Sequence, residues 1–119
     1  MSTWELEVST DAAAQGRARR QLRAWLADLS CSEESTEDAV LVMAELVANA
    51  SSGGASRARV AVSFDSARLR IECCDDVRRP GNSTGLEDDL ARAIVSAATD
   101  GWGWRDHGAG TCVWTEMLC

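Results

Sequence analysis

Asp38-Ala39-Val40-Leu41-Val42-Met43-Ala44-Glu45-Leu46-Val47-Ala48-Asn49-Ala50 is the stretch on which the fold of this chain turns. At about 100° per residue its apolar side chains cover most of a helix circumference, while Asp38, Glu45 and Asn49 fall together in an arc of roughly 40°. Glu45 and Asn49 stand four residues apart, stacked on that narrow stripe. A helix of this kind is buried on nearly every side. Its acid-and-amide stripe is either the solvent edge of an amphipathic helix or the lining of a pocket, and the pattern alone leaves both open. Ser35, with Asp38 three residues on, predicts the start of the helix, and Ser51-Ser52-Gly53-Gly54 stops it.

Working outward from this helix, residues 4–8 alternate as Trp-Glu-Leu-Glu-Val, a short strand by their period of two. Residues 11–29 are helical, with Ala18, Leu22, Trp25, Leu26 and Leu29 on one face and the arginines largely opposite. Downstream, residues 58–64 and 69–74 are β-patterned and joined at Asp65-Ser66-Ala67-Arg68, which predicts a hairpin. Residues 78–85 hold Pro80, Gly81, Asn82, Ser83, Thr84 and Gly85 and read as a loop. A third helix is expected over residues 86–99, with Leu90, Ala93, Ile94 and Ala97 as its inner face. Residues 102–104, a turn at Gly108-Ala109-Gly110 and residues 111–118 form a closing hairpin. The order β-α-α-β-β-α-β-β predicts an α/β fold, an α+β two-layer sandwich with helices on one face of a mixed or antiparallel sheet. Residues 1–119 are expected to form a single domain.

Composition narrows the function. The chain has 119 residues, 45% of them apolar and 26% charged, which suits one compact core. Its net charge of -7 argues against direct nucleic-acid binding through an overall field. The one basic cluster, Arg17, Arg19, Arg20 and Arg23, reads as a solvated helix face or as a docking surface for an acidic partner. No apolar stretch is long enough to cross a membrane, and Met1-Ser2-Thr3-Trp4-Glu5 has no signal-peptide character, so a cytoplasmic protein is expected. The five cysteines are odd in number and lack zinc-finger spacing, which predicts neither a disulfide framework nor a thiolate metal site. Those in strand-like segments are expected as buried free thiols, with redox sensing by Cys73-Cys74 as the functional alternative.

Glu45-Leu46-Val47-Ala48-Asn49-Ala50 resembles the N-box of the gyrase/histidine-kinase ATPase superfamily, a Glu-Leu-x-x-Asn-Ala segment on a helix beside the nucleotide. The resemblance implies Asn49 as the Mg²⁺ ligand and Glu45 as the catalytic base. Both are chemically apt, since an amide oxygen suits a hard cation and a carboxylate accepts a hydroxyl proton. Leu69-Arg70-Ile71-Glu72-Cys73-Cys74-Asp75-Asp76 is similar to the strand that ends in the family's adenine-reading aspartate, which places Asp75 in that role. Gly108-Ala109-Gly110-Thr111-Cys112-Val113 resembles the last strand with its Gly-Thr-x-Val signature, implying that Gly110 and Thr111 support the adenine site. Trp102-Gly103 resembles the Trp-Gly pair of short anti-sigma-like members. These matches run in order from the second helix to the end of the chain, and they imply a Bergerat-type ATP-binding domain of the anti-sigma factor, serine-protein kinase branch.

The sequence also departs from that pattern. Val77 stands where the family carries a glycine, and Asp89-Leu90-Ala91-Arg92 where a glycine-rich lid would close on phosphate. Glu87, Asp88 and Asp89 cap a helix start well and repel a triphosphate. Two functions follow from the resemblance. One is a serine/threonine protein kinase using ATP and Mg²⁺ that acts on a sigma factor or an anti-anti-sigma-like partner. The other is a contact-only regulator on the same fold. The resemblance allows a homodimer for either.

Overall fold

The computed structural model describes residues 1–81 and 83–119; Asn82, read above as part of the loop before the third helix, lies outside the described residues. The elements are β1 (Ser2–Ser9), α1 (Ala12–Asp28), α2 (Glu33–Ser52), β2 (Arg57–Asp65), β3 (Arg68–Asp75), α3 (Asp89–Ala98), β4 (Gly101–His107) and β5 (Gly110–Leu118), in the expected order. The strands form one sheet, β1-β2-β3-β5-β4. Every pairing in it is antiparallel.

Strand alternation decides which face the helices cover. Ala58, Val60 and Val62 of β2, Leu69, Ile71 and Cys73 of β3, and Val113 and Met117 of β5 are buried on the inner face. Against it α2 lies over β2 and β3, α1 beside α2 over β1, and α3 over β4. Leu22 and Leu26 of α1 and Met43, Leu46 and Val47 of α2 complete the core between the two layers.

The helix starts differ from the sequence reading, and their caps show why. Ser32, not Ser35, caps α2: its hydroxyl accepts from the Ser35 amide at 3.1 Å, and Glu33 and Glu34 occupy the positive end of the first turn. Asp88 caps α3 by accepting from the Ala91 amide at 3.1 Å, so α3 begins at residue 89 rather than 86. The expected inner face of α3 is also corrected. Ala91 and Val95 are buried, whereas Leu90 is 67% exposed and Ala93 and Ala97 are exposed. α3 is apolar on two sides, and the side that carries Ala91 and Val95 is the one packed inward.

On the outer face of the sheet charges pair across the strands. Arg57 meets Glu7, Arg105 and Arg70 meet Glu72, and Arg68 and Arg70 meet Glu116. The Arg70 guanidinium also lies 4.9 Å from the centre of the Trp114 ring.

The cysteine reading is corrected. Cys31 pairs with Cys119 and Cys74 with Cys112 as disulfides. The second pair follows from register, since Cys74 and Cys112 face each other directly across β3 and β5. Cys73 is free and buried; burial, reinforced by the Asp75 charge, pushes its thiol up to about 12, and it packs as a small core residue.

The β2–β3 hairpin closes through Ser66 and Ala67, which both take positive φ, at 51° and 67°. That is the two-residue turn asparagine and glycine serve best. Replacing Ser66-Ala67 by Asn-Gly should stabilise the chain by about 1 kcal/mol, read as a higher urea midpoint. An unchanged or lower midpoint would contradict the turn assignment.

Candidate functional site

A cavity of about 610 Å³ opens between α2, the loop after β3 and the start of α3. The helical periodicity read from the sequence puts Glu45, Asn49 and Ser52 on its α2 wall, with Gly53 at the helix end. Arg78, Arg79 and Pro80 face them from the loop, and Glu87, Asp88 and Ala91 close the far side. Of the three polar residues on the α2 stripe, Glu45 and Asn49 therefore line one concavity, and Asp38 does not. Its volume lies within the usual range for small-ligand sites, roughly 300–1,000 Å³.

Asn49 is buried and ties two elements together. Its Nδ2 donates to the Gly85 carbonyl at 2.8 Å, and its Oδ1 accepts from the Glu87 amide at 3.4 Å. The amide thus holds the approach to α3 against α2. Glu87 in turn accepts from the Ser83 hydroxyl and the Thr84 amide. The Ser83 hydrogen bond above all keeps its carboxyl below the usual carboxylate range, so it remains charged at neutral pH.

Asp75, Gly110 and Thr111 meet at the ends of β3 and β5, where Asp75 and Thr111 are register partners. The Thr111 hydroxyl donates to the Val77 carbonyl at 3.1 Å and so fixes the turn that follows Asp75. A Cβ at Gly110 would overlap the Asp75 carbonyl oxygen, which is why the strand carries glycine there. Asp75 does not line the cavity. Arg79 stands between them.

Arg79 is the residue that sequence reasoning missed. Its Nη2 donates to Asp75 Oδ2 at 3.0 Å, and the two side chains are only 5% and 4% exposed. Asp75 Oδ1 meanwhile accepts from the Val77 amide at 2.8 Å. The guanidinium fills the space beside Gly53, where any Cβ would collide with it. A cation next to proline in a loop reads as solvated, and only a glycine at the end of α2, far off in sequence, makes room for it inside.

These contacts test the group that the resemblance implies. A base read by Asp75 needs a carboxylate oxygen open to the cavity, whereas the Asp75 carboxylate is buried and the Arg79 guanidinium covers it from the cavity side. No buried side-chain polar atom among the described residues lacks a hydrogen-bond partner. With Arg79 on Asp75, the charges left facing the cavity are Arg78 against Glu45, Glu87 and Asp88, a poor setting for a triphosphate. The residues as arranged do not fit ATP at the base end.

The family described as a histidine kinase-like ATPase domain matches residues 8–110. No curated protein matches the sequence. The RsbU and RsbW domains of Rv1364c from Mycobacterium tuberculosis share the fold, with a TM-score of 0.77 and 18% identity over 99% of this chain. This chain spans 32% of that mycobacterial chain. The SiaB–SiaC complex from Pseudomonas aeruginosa is similar at a TM-score of 0.71 and 10% identity, over 98% of this chain and 88% of that one. No helix among the described residues is long and apolar enough to cross a membrane.

Proposed function

Because this chain belongs to the histidine kinase-like ATPase domain family, we propose that it is a regulatory module of the anti-sigma kinase kind. It would control transcription by contact with a partner protein, a sigma factor or an anti-anti-sigma-like regulator, in the cytoplasm. The buried Asp75–Arg79 pair carries this reading, because in this arrangement the carboxylate that would read a base is held by a cation of the chain itself. Two facts support it. Leu90, Ala93 and Ala97 leave an apolar stripe open on α3, with the acids Glu87, Asp88 and Asp89 at one end, a surface suited to an apolar segment with a basic flank. The Pseudomonas neighbour, moreover, was solved as a complex with another protein. A homodimer is a further assembly the reading allows.

A second reading, serine/threonine phosphorylation of the partner with ATP and Mg²⁺, is favoured by Glu45 and Asn49 lying on the cavity wall. It assigns Glu45 as base, Asn49 as metal ligand, and Asp75, Gly110 and Thr111 to the base pocket. The two readings separate in one experiment. Purified sigma factors and anti-anti-sigma-like proteins of the same genome are titrated with the wild-type chain and with Glu45→Gln/Asn49→Ala, with and without ATP and Mg²⁺, and label transfer from γ-labelled ATP is followed in parallel. Binding that persists in the double variant without nucleotide supports contact. Transfer by the wild type that disappears in Glu45→Gln establishes the kinase instead.

Leu90→Asp tests the partner surface. At 67% exposure its stability cost should stay within about 0.5 kcal/mol. Partner affinity should fall by about tenfold or more if the stripe is central to the contact. Unchanged affinity would place the contact elsewhere.

A further inference from the structure

We infer that Arg79 is a gate: its guanidinium occupies the Asp75 carboxylate in place of an adenine base, and an adenine base enters only by displacing it. The inference rests on the reading that Asp75 sits at the base end of the family's nucleotide cavity. The two members of the pair are held very differently. Asp75 belongs to β3, a strand paired on both sides by β2 and β5, and the turn after it is fixed by the Thr111 hydroxyl. Arg79 belongs to the irregular segment between β3 and α3, and among the described residues its other hydrogen bond is a 3.4 Å contact to the Val77 carbonyl. The carboxylate is therefore fixed and its cation is the part able to leave. Arg79 already lines the cavity, so swinging its side chain away opens the cavity onto Asp75.

The geometry also selects the ligand. Departure of Arg79 frees Oδ2, whereas Oδ1 keeps the Val77 amide. One free acceptor matches a single amino donor such as the exocyclic amine of adenine. Guanine presents a carbonyl where adenine presents that amine, and a carbonyl oxygen facing a carboxylate oxygen is repelled. Among ligands with a purine face, the opened site should accept adenine and reject guanine.

The test uses adenosine and guanosine, which carry no phosphate and so report on the base end alone. Binding is read by thermal shift and by tryptophan fluorescence, Trp104 lying against Gly85 at the approach to α3. Arg79→Gln should bind adenosine at least about tenfold more tightly than the wild type, with no such gain for guanosine, and adding Asp75→Asn should abolish the gain. Arg79→Lys keeps a cation but loses the planar fork, so it should show a smaller gain in the same direction, and it serves if the Gln variant does not fold. Equal adenosine affinity in the wild type and the variants, or a gain that survives Asp75→Asn, overturns the gate. ATP with Mg²⁺ is titrated alongside. If ATP binds while adenosine does not distinguish the variants, the gate alone fails. If no chain binds ATP or adenosine, the nucleotide cavity fails and the gate with it.

Discussion

Gly110→Ala should cost about 4 kcal/mol, at the extreme of single substitutions. The added methyl group would overlap the Asp75 carbonyl oxygen, a main-chain atom that cannot rotate aside. Neither strand is free to shift, because β5 is paired with both β3 and β4 and β3 with both β2 and β5. The ladder at Asp75–Thr111 must open, and the Thr111 hydroxyl would lose the Val77 carbonyl. Urea denaturation should show a much lower midpoint with an unchanged slope, the mark of lost stability rather than an altered unfolded state. A cost below about 1 kcal/mol would mean that β3 and β5 are not so closely apposed.

Arg79→Ala should cost about 3–5 kcal/mol, because it leaves the Asp75 carboxylate buried without its cation. The penalty belongs to the orphaned charge more than to the lost contact. Asp75→Asn, which keeps the shape and removes the charge, should therefore recover much of it, and Asp75→Asn/Arg79→Ala should be more stable than Arg79→Ala alone. The double-mutant cycle isolates the coupling. If the double variant is as unstable as the sum of the single ones, the two side chains do not act as a pair.

The element order and the antiparallel hairpins were legible because Trp4 to Val8, the strands around residues 58–74 and the closing hairpin alternate with little interruption. Glu45 and Asn49 could be placed on one wall because helical periodicity fixes relative direction once a helix is granted. Periodicity failed on α3. Leu90, Ile94 and Val95 give it two apolar sides, and which of them packs inward is a tertiary fact that periodicity does not fix. The Cys74–Cys112 disulfide and the burial of Arg79 were hidden for a related reason. Each is set by residues distant in sequence, through the β3–β5 register in one case and the space beside Gly53 in the other.

The paired charges on the outer face of the sheet have a consequence for how this protein meets other molecules. Because the arginines and glutamates there largely cancel, most of the surplus behind the net charge of -7 lies on the helices and loops. The helical layer is itself polarised. Arg17 and Arg20 stand exposed on α1, over the β1 edge of the sheet, and Glu37 of α2 pairs with Arg23 of α1, while the exposed Glu87-Asp88-Asp89 run before and into α3 lies toward the opposite, β4 edge. The molecule therefore carries a lateral dipole along its helical face. An oncoming protein with the opposite polarity is turned into register before any side chain touches, so its association rate, more than its dissociation rate, should fall as salt is raised.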